Sequence, residues 1–162
     1  MAPRRRRGFG AVLTALAALA AAAGCFPPKI PCPEDRLPPR EWARSPETAF
    51  DFFRECLRCG HYGLAYRMLA EPARRETSED EFVVLFRESP DHYRAVVDCK
   101  KYGDLGPAAT EDERILTIRH PTGVRRRIRL IRENGIWTLD DSAEAFRAFV
   151  SEVIRKGRSA GR

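Results

Sequence analysis

The sequence predicts an α+β domain in which three short helices pack on a curved four-stranded antiparallel sheet and a C-terminal helix follows. Three observations carry that expectation. Apolar residues recur at helical spacing between Ala49 and Phe86, the repeat shortens to two between Tyr93 and Leu139, and a second helical stripe runs from Ala145 to Ile154.

The first 44 of the 162 residues fall outside that domain. Arg4 to Arg7 precede an apolar run, Ala11 to Ala23, which Gly24 closes ahead of Cys25. The run has 13 residues, and a membrane-spanning helix needs about 20. A basic flank and a small-residue exit mark residues 1–24 as a cleaved export segment, with an uncleaved anchor as the alternative. Residues 25–44 include prolines at 27, 28, 31, 33, 38 and 39 and few large apolar side chains. Proline fixes φ and removes a backbone donor, so this stretch is expected to be a semi-rigid tether.

The domain is expected over residues 45–156, with a flexible tail at 157–162. Ser45-Pro46-Glu47 supplies an N-cap hydroxyl, a proline for the first helical position and a carboxylate near the positive helix end. The helix it opens runs to about Cys59, and Gly60 offers a left-handed stop. Leu64, Ala65, Met68 and Leu69 mark a second helix that Glu71-Pro72 ends. Ser78-Glu79-Asp80-Glu81 is a capping box for a third, with Phe82, Leu85 and Phe86 inward until Ser89-Pro90.

Four strands are expected next. Tyr93, Ala95, Val97 and Cys99 alternate with polar residues, and Ile115 to His120 joins Val124 to Arg132 through Pro121-Thr122-Gly123. Asn134-Gly135 suits a type I′ turn leading into Ile136 to Leu139. Asp141 or Ser142 then caps the last helix.

The formal charge of +6 is concentrated at the N-terminus, and beyond Gly24 there are 25 basic residues against 23 acidic. That balance lacks the electrostatic footprint of a nucleic-acid-binding domain. Neither a cofactor-binding motif nor a pairing of nucleophile with base is present, so no cofactor is expected.

Arg125, Arg127 and Arg129 alternate along one strand and project from one sheet face, with Arg119 near them across the hairpin. They form either a solvated face partnered by Glu111, Asp112 and Glu133, or a strip for an anionic envelope polymer, acidic head groups or an acidic protein partner. Cys32, Cys56, Cys59 and Cys99 invite disulfides in an exported domain, in any of three pairings, or are buried thiols. Cys56 and Cys59 form a C-x-x-C at a helix C-terminus, where the dipole disfavours thiolate, which argues against redox catalysis. A zinc set of Cys56, Cys59, His61 and Cys99 lacks a second short-spaced ligand pair, so no metal is expected.

Two resemblances add to these readings. Ala22-Ala23-Gly24-Cys25 resembles the lipobox of bacterial lipoproteins, which implies that Cys25 becomes the first residue and carries a lipid. It places the domain on the exported face of a membrane in the bacterial cell envelope. Arg6-Arg7-Gly8-Phe9 also resembles the core of a twin-arginine signal, beside the plainer reading of a polybasic n-region.

Residues 46–141 resemble the nuclear transport factor two-like superfamily, of cystatin-like fold, which includes ketosteroid isomerase. The likeness rests on Ala49-Phe50-Asp51-Phe52-Phe53 followed by Gly60 to Tyr66, on the capped segment 78–88, and on Glu133 to Leu139. It implies a cone of helices packed into a curved sheet. In some relatives a pocket Asp or Tyr does acid–base chemistry, and here Tyr66, Tyr93 and Asp98 are the candidates, although Asp98 falls out of phase with the inward set.

The expectation is therefore a lipid-anchored, non-catalytic binding or assembly module of the envelope. The alternative is a small pocket enzyme of isomerase or dehydratase type. Intact mass of the membrane-extracted protein should show a chain that begins at Cys25 and bears a lipid; an unmodified chain beginning at Met1 would contradict the anchor.

Overall fold

The computed structural model describes residues 32, 40–103, 105–106 and 110–160. Cys25, the export segment and the tether, other than Cys32 and residues 40–44, lie outside the described residues. Mixed helix and sheet are observed as expected, with a curled four-stranded antiparallel sheet and a C-terminal helix. Among the described residues five α-helices rather than three precede the sheet: α1 (Pro46–Arg58), α2 (Tyr62–Arg67), α3 (Glu71–Glu76), α4 (Glu79–Arg87) and α5 (Pro90–Val97).

The extra helices come from prolines that start a helix where the sequence reading let them end one. Pro72 lies in the first turn of α3, and Pro90 opens α5, where the Ser89 hydroxyl accepts from the His92 N–H at 3.5 Å. A missing N–H costs nothing in a first turn, whose donors have no intrahelical acceptor. The strand expected over 93–99 is thus a helix. Ala95, Val96 and Val97 are consecutively buried, a pattern that alternation forbids and a helix packed on two neighbours allows.

Before α1, residues Arg40–Arg44 form a 3₁₀ turn that buries Ala43, so ordered packing begins five residues earlier than the expected start of the domain. At the start of α1 the Ser45 hydroxyl accepts from the Glu47 N–H at 3.2 Å. At its end Gly60 turns left-handed at φ 78°, its N–H donates to Leu57 at 3.1 Å, and the His61 N–H donates to Cys56 at 2.9 Å. This pair of bonds is the Schellman closure, which satisfies carbonyls that a helix end otherwise leaves without partners.

The sheet is a meander in the order β1 (Lys100–Lys101), β2 (Glu113–Arg119), β3 (Arg125–Glu133) and β4 (Ile136–Asp140). Asn134 (φ 52°) and Gly135 (φ 77°) both adopt the left-handed backbone expected of the β3–β4 turn. Residues 68–70 run alongside β4, with the Ala70 N–H donating to Leu139 and the Leu139 N–H to Met68, each at 2.8 Å.

Leu116, Ile118, Ile128, Leu130 and Leu139 share the covered face of the sheet. An aromatic cluster fills the helical layer: Phe53 stacks on Phe146 at 5.9 Å, Phe82 tilts on Phe86 at 4.8 Å, and Phe86 meets Phe146 edge-on at 5.6 Å. Each such side chain contributes about 1.5–3 kcal/mol by leaving water, so this cluster sets the position of the C-terminal helix α6 (Ala143–Ala160). That helix continues through most of the stretch expected to be a flexible tail.

Arginines also lie on the covered face, and one of them ties the sheet to the last helix. Arg126 pairs in register with Ile118, donates through Nε to Asp141 at 3.0 Å, and makes a second bond to that carboxylate through NH2. A further bond reaches the Ala145 carbonyl in the first turn of α6. Ser142, not Asp141, caps α6, its hydroxyl accepting from the Ala145 N–H at 3.4 Å.

Asp141 is 5 % exposed. Burial pushes its carboxyl up to about 6, against the pull of Arg126 and its hydrogen bonds.

Removing one partner of a buried pair strands the other charge at a cost of about 3–5 kcal/mol. Arg126 keeps some solvent contact, which places Asp141→Ala at about 3 kcal/mol of lost stability by urea unfolding. Arg126→Met with Asp141→Leu should recover most of that loss. Because folding raises the Asp141 pKa above the ordinary aspartate value of 3.8, the folded chain binds the extra proton in the interval up to about 6. Its contribution is therefore full below that interval and lost as pH rises through it. Urea midpoints of the parent should fall across this window relative to those of Asp141→Asn.

Candidate functional site

The exposed side of the sheet is the most distinctive surface. Alternation along β3 sends Arg125, Arg127 and Arg129 to solvent, as expected, while Arg126, Ile128 and Leu130 face the helices. Register brings other cations beside them. Arg125 lies directly opposite Arg119, and Arg119 lies directly opposite Lys100, so three strands present one row of positive charge.

Tyr102 organises the row. Its N–H donates to the Thr117 carbonyl at 2.8 Å, which continues the β1 ladder and holds the ring on the same face. The Arg125 guanidinium stacks over that ring at 4.1 Å and donates to its hydroxyl at 3.0 Å, while Arg119 lies over it at 5.4 Å. A cation over an aromatic face gains about 0.5–1 kcal/mol at an exposed site. That gain offsets a like-charge pair directly across the strands, which is otherwise destabilising.

The three arginines of the expected strip are not equivalent. Arg129 donates to Asp140 at 2.9 and 2.6 Å and approaches Glu113 at 3.4 Å, and the Asp140 hydrogen bond raises its pKa further. Two of the carboxylates expected to partner the strip act elsewhere. Glu133 pairs with Arg74 at 3.5 Å and Asp112 with Arg132 at 3.9 Å. Among the described residues, Lys100, Arg119, Arg125 and Arg127 have no carboxylate within ion-pair distance.

Neighbouring strands stand about 4.8 Å apart and alternate residues about 7 Å apart, so the four cations occupy a patch about 10 Å across. Two unit charges at about 6 Å repel by about 0.7 kcal/mol in water. A polyanion laid across the patch relieves several such repulsions at once. Lys100 and Tyr102 are not part of the strip expected from the sequence; their spacing of two from each other, directly after Cys99, was the available signal.

The other candidates do not converge. The Tyr66 hydroxyl donates to the Thr77 carbonyl at 3.0 Å, Tyr93 packs against the core, and Asp98 is an exposed residue at the C-terminal end of α5. A surface cleft of about 310 Å³ is lined by Arg44, Arg67, Arg74 and Glu133 among others, but there Glu133 already neutralises Arg74. Among the described residues, no three His, Cys, Asp or Glu side chains are placed to hold a metal ion. His61 Nε2 instead donates to the Cys32 carbonyl at 2.6 Å. No helix among the described residues is long and apolar enough to cross a membrane.

No protein-family model matches the chain, and no curated protein matches it either.

Arg119→Glu turns the cross-strand repulsion with Arg125 into attraction. It should raise stability by about 0.5 kcal/mol in urea unfolding; a loss of that size would show that Tyr102 and Arg119 contribute chiefly to folding.

Proposed function

We propose that the chain is a lipid-anchored, non-catalytic binding module of the bacterial cell envelope, built on a nuclear transport factor two-like fold. Its ligand is an anionic envelope polymer or acidic protein that docks on the exposed sheet face. The observation that carries this reading is the cationic row, in which Arg119 and Arg125 share the Tyr102 ring and lack a carboxylate partner among the described residues.

Polar surface kept for folding alone is usually neutralised, as Arg129 is by Asp140 and Glu113. Leaving four cations without such partners among the described residues sacrifices stability and gains a polyvalent anion site. The anchoring half of the proposal rests on Arg4 to Arg7, the apolar run and Cys25 in the sequence. The aromatic and aliphatic packing between helices and sheet supports a binding role over a pocket enzyme, which needs an acid or base facing an enclosed space.

Retention on an immobilised polyanion such as heparin tests the site. Arg119→Gln, Arg125→Gln and Arg127→Gln together should weaken binding about tenfold at 150 mM salt, since three exposed contacts at about 0.5 kcal/mol each amount to about 1.5 kcal/mol. Arg129→Gln should elute with the parent. Equal elution of the triple variant and the parent would refute the site.

A further inference from the structure

Cys32 precedes the body of the domain, yet both of its backbone polar groups are bound to the end of α1. Its N–H donates to the Cys59 carbonyl at 2.8 Å, and its carbonyl accepts from His61 Nε2 at 2.6 Å. The acceptor is explained by the helix end. The Schellman closure uses the carbonyls of Cys56 and Leu57, so the carbonyl of Cys59, the C-cap residue, is not consumed by it and accepts from Cys32 instead.

From this docking we infer that Cys32 and Cys59 form a disulfide, which fastens the chain N-terminal to the domain onto the C-terminus of α1. A single N–H···O=C bond, as between residues four apart in a helix, keeps the two Cα atoms about 6 Å apart, inside the window of about 4.4–6.8 Å that a disulfide spans. The inference is independent of the anion site and of the lipid anchor.

The alternative pairings are disfavoured by place. Cys56 is fully buried one helical turn earlier in α1, and Cys99 is fully buried after α5, where its thiol donates to the Ala95 carbonyl at 3.0 Å. Burial pushes both of those thiols up to about 12, which leaves them poor nucleophiles. Cys32 is half-buried and is the more accessible partner.

Oxidation by a small disulfide such as oxidised glutathione balances as follows. The Cys32 thiolate attacks one glutathione sulfur, breaks its S–S bond and expels one glutathione thiolate. The Cys59 thiolate then attacks the Cys32 sulfur of the mixed disulfide, forms the Sγ–Sγ bond and expels the second. Two electrons pass to glutathione, and the two protein protons end on its thiols.

Trypsin resolves the pairing because Arg58 separates Cys56 from Cys59. The full chain, treated with oxidised glutathione, unfolded, alkylated and digested without reductant, should yield peptide 30–36 linked to peptide 59–67. Peptides 55–58 and 95–100 should carry alkylated thiols. Peptide 30–36 alkylated, or linked to any other peptide, would overturn the inference.

Discussion

The alternation of β3 is the constraint on which the rest of the structure depends. From Arg125 to Glu133 the strand places cations on one side and Ile128 and Leu130 on the other, and only one register buries the aliphatic pair. A slip by one residue would drive Arg127 and Arg129 into the helical layer, at several kcal/mol for each ion. The pattern that makes the fold unambiguous also displays the proposed anion site. Arg126 breaks it, and the fold answers with Asp141 and the Ala145 carbonyl, which fasten the first turn of α6 to the sheet.

The helix α6 is therefore held in two ways. Phe146 inserts among Phe53 and Phe86 and supplies most of the energy through burial, whereas Arg126 selects where the helix begins. Thr77 reinforces that start, because its buried hydroxyl accepts from the Ala143 N–H at 3.0 Å while its carbonyl accepts from Tyr66. On the far side, Lys101 and Arg54 both pair with Asp51, at 3.2 and 3.3 Å, and bring the short strand β1 beside α1. Lys100, the preceding residue, thereby reaches the exposed row. Positions that look unrelated along the chain converge because the sheet is curled and its first strand is very short.

Much of this was legible in residue order. Ser45-Pro46, Gly60, Ser78 and Asn134-Gly135 behave as their local chemistry dictates, since caps and left-handed turns are decided within a few residues. The segment 90–97 was not legible, because Tyr93, Ala95 and Val97 fit an alternating pattern and Val96, the residue that breaks it, is decided by tertiary burial. The inequality among Arg125, Arg127 and Arg129 was also hidden. It depends on which carboxylates cross-strand register delivers, and Asp140 reaches Arg129 only through the β3–β4 pairing. Docking of Cys32 on Cys59 joins residues 27 apart, a contact that cysteine count suggested without specifying.

A glutamine scan of residues 125 to 129, read for thermal stability and polyanion retention on the same samples, addresses the central claim most directly. The two readouts should alternate: substitution at Arg125 or Arg127 weakens retention with little change in melting temperature, and substitution at Arg126 lowers the melting temperature and leaves retention of the folded protein intact. Retention falling with Arg126→Gln as steeply as with Arg127→Gln, or stability indifferent to Arg126, would contradict the division of β3 into a structural face and a binding face.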